Sequence, residues 1–318
     1  LEISPEHIPA VDALERLFLN AGDIRRMVDA ILKKVELVSD PDEKKTLAFR
    51  AAKIQLEDLE DKNAAIATYR LILEIDDTEM RALDALEAIF VHNEDWENLQ
   101  DIYARKADLA PSPEERKQML YTLGQMYNQE LKNLEKAIET YERVLDEDPV
   151  DDVALQNLDR LYEIAGKWQE LVAVLDVMIQ NGQSDAEVAA TKLRLGEVHE
   201  LRMKAPDVAV PLYGEALSLD SSNEGVVVAL WRVMQGGEGD NRCVGITYDP
   251  EVRTAAAVLL DNYFATIGDQ EKLVIVLNVR VDQSEDTYER VQLLHRLREI
   301  HELHLDRPRE AMDDMARA

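Results

Sequence analysis

The chain matches itself when slid by 72 positions. Ile66, Tyr69, Leu83, Trp96 and Leu99 fall on Ile138, Tyr141, Leu155, Trp168 and Leu171. The same shift carries Ala137, Ile138 and Tyr141 onto Ala209, Val210 and Tyr213, and it brings Ala82, Ala85, Leu86, Glu87 and Phe90 back onto Ala10, Ala13, Leu14, Glu15 and Phe18. Towards the C-terminus the offset becomes 102, with Gly166, Leu171, Glu200, Leu201, Pro206 and Ala209 falling on Gly268, Leu273, Glu302, Leu303, Pro308 and Ala311. A fixed period of this size means a stack of supersecondary units, each too small to bury its apolar face alone.

Within one period the apolar spacing is helical. Leu120, Leu123, Met126 and Tyr127 recur at three and four residues, as do Ala137, Ile138, Tyr141, Val144 and Leu145. Leu155, Leu158, Leu161 and Tyr162 form a third set, and Leu171, Val174, Leu175 and Met178 a fourth. The period therefore predicts two helical hairpins of about 36 residues each. Stop and start signals separate them: Ser39-Asp40-Pro41, Pro111-Ser112-Pro113, Asp148-Pro149, Ala165-Gly166 and Asn181-Gly182. Ser112 is expected to cap a helix whose first residue is Pro113, and Pro149 to open the next helix.

The stretch Leu120 to Pro149 resembles a tetratricopeptide repeat: Leu123-Gly124, Tyr127, Ala137, Tyr141, Val144 and Pro149 stand at that family's spacing apart from one inserted residue. The next hairpin resembles a degenerate copy, with Asp159 at the small position and Leu171 at the alanine. Small residues at Gly124 and Gly196, with Ala52 in the earlier copy, and at Ala65, Ala137, Ala209 and Ala311 on the facing helix let the helices approach closely. A bulkier side chain there would overpack the contact by roughly 1–3 kcal/mol. The resemblance implies an all-α, right-handed superhelical solenoid of antiparallel hairpins. Repeat hairpins are expected over residues 1–222 and again over 251–318, where the last repeat reads as truncated. Because the chain opens mid-period, it is also expected to be a piece of a longer protein. Tyr141, Tyr213, Trp96 and Trp168 are read as repeat-packing aromatics, the tryptophans sealing the seam between hairpins.

The pattern breaks between Asp220 and Asp249. Asn223–Gln235 and Glu251–Ile267 both align with one helix of the period, so residues 223–250 read as an extra irregular helix followed by a Gly-rich loop. That loop, with Glu238, Asp240, Arg242 and Cys243, is either a poorly ordered spacer or an interaction loop. Gly237-x-Gly239 lacks the third glycine and the preceding strand of a phosphate-binding turn.

Composition narrows the function. Sixty-five acidic against 36 basic residues leave a formal charge of −29, which disfavours a nucleic-acid partner. Apolar runs reach only about seven residues, far short of a membrane span. The single cysteine cannot form an internal disulfide; the expected location is the cytoplasm. No cofactor or metal is expected. His295, His301 and His304 are read as surface histidines at spacings unsuited to a zinc helix, and no nucleophile–base set emerges.

The resemblance assigns ligand contacts to the first helix of each hairpin. Mapped onto this sequence, that rule gives Phe49, Arg50 and Lys53, Arg81 and Asp84, Tyr121 and Gln125, Gln156, Asn157 and Arg160, and Arg194 and Glu197. Of these, Arg50, Lys53, Arg81, Tyr121, Gln125, Asn157, Arg160 and Arg194 are the candidate partner-binding groove. Only Asn157 and Arg194 match the clamp by which some relatives hold a C-terminal carboxylate. The expected function is a non-catalytic protein–protein interaction scaffold binding a partner segment, with arginine forks available to carboxylates. The alternative is a regulatory or substrate-recruiting arm of a larger enzyme. Changing Arg160 and Arg194 to Glu is expected to weaken binding of an acidic partner without unfolding the array. The sequence leaves oligomeric state open.

Overall fold

The computed structural model describes residues 8–318, which are almost wholly helical; no strand occurs among them. The helices are α1 (Ile8–Ala21), α2 (Ile24–Leu37), α3 (Pro41–Glu57), α4 (Lys62–Ile75), α5 (Met80–Asn93), α6 (Trp96–Leu109), α7 (Pro113–Gln129) and α8 (Leu134–Glu147). They continue as α9 (Asp152–Ala165), α10 (Trp168–Asn181), α11 (Asp185–Glu197), α12 (Pro206–Leu219), α13 (Glu224–Met234), α14 (Pro250–Ile267), α15 (Gln270–Gln283), α16 (Thr287–Leu303) and α17 (Pro308–Arg317). A π-turn, Val198–Arg202, extends α11, and a 3₁₀ turn, Asn241–Cys243, lies before α14.

Compactness divides the chain at Pro149/Val150. In the first unit α1 to α8 form four hairpins stacked in chain order, each helix packing on its neighbours in sequence. In the second unit α9/α10, α11/α12, α14/α15 and α16/α17 are hairpins, and α13 is a single added helix packed on α14. The core of the second unit runs through Tyr213, Leu230, Val233, Leu260, Phe264, Leu277 and Leu297.

Helix starts follow their capping chemistry. Ser112 Oγ accepts the Glu115 amide at 3.2 Å ahead of Pro113, and Asp40 accepts that of Glu43 at 3.1 Å ahead of Pro41. Caps of this kind contribute about 1 kcal/mol each. Pro149 does not open a helix. It sits in the turn, and α9 starts at Asp152, capped by Asp151, whose carboxylate accepts the Ala154 amide at 2.9 Å.

The backbone repeats with the same offsets as the sequence. Positive φ occurs at Gly22, Glu94, Gly166 and Gly268, and again at Glu60, Lys132, Lys204 and Asp306. Each series advances by 72, 72 and 102 residues, so both turn conformations are inherited from copy to copy even where glycine is not. The small residues do what their spacing suggests. A Cβ on Gly124 would lie 2.8 Å from the Tyr141 ring, one on Gly196 would lie 2.4 Å from that of Tyr213, and Ala137 and Ala209 are fully buried.

The glycine-rich segment is not a slack spacer. Five backbone bonds, from Gly236 to Val233, Gly237 to Arg232, Asp240 to Gly237, Cys243 to Asp240 and Ile246 to Cys243, fold it into consecutive turns. Arg242 forks onto the Asp240 carboxylate at 2.6 and 3.0 Å and holds it down at a pKa of about 2. Beneath the loop lies Glu200, fully buried in the π-turn. It accepts Arg232 Nε and Nη2 at 2.9 and 2.7 Å, Tyr213 Oη at 2.7 Å and Tyr248 Oη at 2.7 Å. Tyr248 Oη also lies 3.2 Å from the buried Cys243 Sγ. Three side chains from α12, α13 and the loop thus bring four donors to one carboxylate, so its buried oxygens are satisfied. Glu238 stays exposed.

Candidate partner-binding surface

The first helices of the hairpins carry the residues that the sequence nominates, and most of their cations are already engaged. Arg50 on α3 reaches back to Glu15 on α1 at 2.7 Å. Arg194 on α11 reaches Asp159 and Glu163 on α9 at 3.2 and 2.5 Å, and its hydrogen bond holds the Glu163 carboxyl below its ordinary pKa. Arg296 on α16 reaches Asp261 on α14 at 2.7 Å, where Arg280 joins it at 2.6 Å.

These pairs occupy one phase of the repeat. Glu15, Glu87, Asp159 and Asp261 are period-equivalent, as are Arg50, Thr122, Arg194 and Arg296, each 35 residues further on. Where threonine replaces the arginine, Glu87 is served instead by Lys106, which also binds Asp84 at 2.5 Å, and by Tyr103 Oη at 2.9 Å. Burial and that bond push the Tyr103 phenol up to about 12. The expectation that Arg50 and Arg194 present open forks to a ligand is therefore corrected: both forks close on carboxylates of the preceding hairpin. The sequence reading missed this ladder, because its partners lie 35 residues apart on different hairpins.

A second rung recurs with the period. Lys45 bonds Asp76 at 2.7 Å and Lys117 bonds Asp148 at 3.0 Å. The Lys45 ammonium, with the Thr78 hydroxyl and amide, brings the Asp76 carboxyl down to about 2.

The remaining nominated residues are differently placed. In the first unit Arg81 on α5 lies over the Phe49 ring of α3, its Cζ 4.4 Å from the centroid, and is exposed. Lys53 is exposed, with Glu57 at 3.8 Å as its nearest carboxylate. Tyr121 is half-buried and Gln125 exposed on α7. In the second unit Arg160 is exposed on α9, while Asn157 donates to the Val153 carbonyl at 2.7 Å. Trp96 and Trp168 open α6 and α10 half-buried, and Arg202 from the following hairpin packs over Trp168 at 5.3 Å.

His301 departs from the surface reading. It is buried on α16, its Nδ1 2.7 Å from Asp314 of α17. Among the described residues no group of three His, Cys, Asp or Glu side chains is arranged to hold a metal ion, and no helix is long and apolar enough to cross a membrane.

With two-helix units, close glycine–tyrosine approaches and a 72-residue double period in place, comparison with known proteins is decisive on one stretch. Tetratricopeptide repeat families match residues 82–117 and 117–151. Residues 82–151 are similar to tetratricopeptide repeats, and the described chain is all-helical. Repeats of this kind form protein–protein interaction scaffolds and are typically non-catalytic modules. No curated protein matches the chain. Among solved structures it is similar to YrrB, described as a tetratricopeptide repeat protein with an unusual peptide-binding site, at 15% identity, 64% of this chain, 98% of that one and a TM-score of 0.34. PilF of Pseudomonas aeruginosa matches at 18% identity, 70% of this chain, 98% of that one and a TM-score of 0.32. The tetratricopeptide domain of P58(IPK) matches at 13%, 97% and 91%, with a TM-score of 0.29. Superposition is poor in each case, so none of the three informs on this protein's ligand.

Proposed function

We propose that this tetratricopeptide-like protein is a non-catalytic scaffold that holds a carboxylate-bearing partner segment along the first helices of its N-terminal hairpins, at Phe49, Lys53, Arg81, Tyr121 and Gln125. One observation carries the reading. Arg81 is the nominated arginine of the first unit that closes on no carboxylate among the described residues, and it rests over the Phe49 ring at 4.4 Å. A guanidinium resting over a ring retains its fork of donors for a bidentate acceptor and loses little freedom on binding. In the second unit Arg160 is an exposed nominated arginine, at a different phase of the repeat.

The test is fluorescence anisotropy with labelled hexapeptides containing glutamates and one tyrosine, against the same peptides with lysine for glutamate. The glutamate peptide should bind, and Arg81→Glu should weaken it at least tenfold at an unchanged melting temperature. Equal binding of the lysine peptide, or affinity indifferent to Arg81→Glu, overturns the proposal.

A further inference from the structure

The added helix α13 changes which helices become neighbours. Chain reversal at α13 brings α14 alongside α12 in the same direction: the starts of both helices line one cavity, and further along a Cβ on Gly214 would meet Leu259 at 3.1 Å. Between them runs an open trough of about 490 Å³ lined by Val210 and Pro211 of α12 and Val252, Ala255, Val258 and Leu259 of α14.

The apolar character of the trough belongs to this place in the period. The positions of Val208 and Pro211 are held by Ala64 and Ala67 in α4 and by Lys136 and Glu139 in α8. The positions of Val258 and Leu259 are held by Gln156 and Asn157 in α9. Val208 and Val258 are 43% and 37% exposed, so branched apolar surface is open to solvent here.

Charge sits at one end. The trough opens into a second cavity of about 400 Å³ formed by Lys204, Pro206, Asp207, Gly245, Thr247, Asp249, Glu251 and Val252. Asp207, Asp249 and Glu251 are exposed there, and no ion pair engages them among the described residues, so three carboxylates face one ammonium. Pro211 has no amide hydrogen, which leaves the Asp207 carbonyl without its i+4 donor and adds an acceptor at the same end.

We propose that this trough docks an amphipathic helix of a partner protein, its apolar stripe against Val210, Pro211, Ala255, Val258 and Leu259 and its lysine- or arginine-bearing end over Asp207, Asp249 and Glu251. The apolar lining supplies affinity and the acidic end sets the orientation of the bound helix. This surface is separate from the Arg81 face, and its occupant has the opposite charge.

The experiment uses the whole chain and a labelled 18-residue helical peptide with leucines at i, i+3, i+4 and i+7 spacing and four lysines at one end. Controls are a peptide of the same composition with the leucine spacing scrambled and one with glutamates for the lysines. The first peptide should bind at least tenfold more tightly than either control and weaken with salt. Ala255→Glu and Val258→Glu should each reduce its affinity at least tenfold with helicity and melting retained, while Arg81→Glu leaves it unchanged. Equal binding of the scrambled peptide, or binding indifferent to both trough variants, overturns the proposal. So does a wild-type dimer in sedimentation that Val258→Glu dissociates, since a second copy would then be the occupant. Should the two variants unfold, an Asp207→Asn/Glu251→Gln double variant keeps the question open to decision: unchanged affinity and salt dependence overturn the proposal.

Discussion

The Tyr213 ring of α12 lies against Gly196 of α11 with no room for a methyl group: a Cβ on Gly196 would stand 2.4 Å from Cε1. Tyr141 makes the same contact with Gly124 one period earlier, at 2.8 Å. Both tyrosines are almost wholly buried, so neither ring can swing aside into solvent. Gly124→Ala and Gly196→Ala should each destabilise their unit by about 1–3 kcal/mol in urea titrations, the price of overpacking. An unchanged midpoint would mean that the hairpins can spread freely, against the close-approach account.

Glu94 occupies the left-handed conformation, at φ 54°, that glycine holds at the equivalent positions 22, 166 and 268. A side chain in that region costs about 1–2 kcal/mol, part of which glycine gives back by loosening the unfolded chain. Glu94→Gly should therefore stabilise by up to about 1 kcal/mol, seen as a higher urea midpoint with an unchanged slope.

Those recurring turns show what was legible beforehand. The all-helical hairpin repeat could be read because it leaves its mark at a fixed sequence phase; that Gly124 and Gly196 lie against tyrosine rings could not, because the sequence shows small residues and not what faces them. The Arg50–Glu15 and Arg194–Asp159 pairs were hidden because partners 35 residues apart carry no local signature; an arginine on a first helix looks alike whether it faces a ligand or the preceding hairpin. Glu200 was hidden more deeply. Its partners Arg232 and Tyr248 lie 32 and 48 residues away, within the very segment where the period fails.

Glu200 should accordingly dominate the insertion. Glu200→Gln leaves the buried Arg232 guanidinium with only the more distant Glu197 carboxylate, at 3.8 Å, and should cost up to about 3–5 kcal/mol, with faster protease cleavage within residues 236–249. Tyr248→Phe removes one hydrogen bond to a charged acceptor and should cost about 1.5–3 kcal/mol, loosening the same loop with Arg232 still paired. Limited proteolysis and urea unfolding of the two variants distinguish a pinned loop from an independent one: a pinned loop is cut faster in both.

The Lys45–Asp76 rung gives a pH signature. Asp76 has its pKa lowered to about 2, from an ordinary value near 3.8, by the Lys45 hydrogen bond and then by Thr78. A depressed carboxyl contributes stability that is complete above the unfolded pKa and disappears as pH falls through the folded one. The melting-temperature gap between wild type and Asp76→Asn should be constant from pH 7 to 5 and close between about pH 4 and pH 2. A gap that persists at pH 2 would place the effect elsewhere.

Arg160 and Arg194, alike in a sequence reading of the groove, should now behave differently. Arg194 lies between Asp159 and Glu163, half-shielded from solvent, so Arg194→Glu sets a third carboxylate against two and removes the hydrogen bonds that keep Glu163 ionised at low pH. Loss of the two pairs and the added repulsion should lower stability by about 2–4 kcal/mol, and the deficit should shrink with acid as Glu163 protonates. Arg160 is exposed, and Arg160→Glu should change stability by less than about 0.5 kcal/mol. Urea unfolding of both variants at pH 7 and pH 4 checks the contrast. Equal losses at pH 7, or an Arg194→Glu deficit that grows with acid, would show that the arginine–carboxylate ladder does not hold successive first helices together.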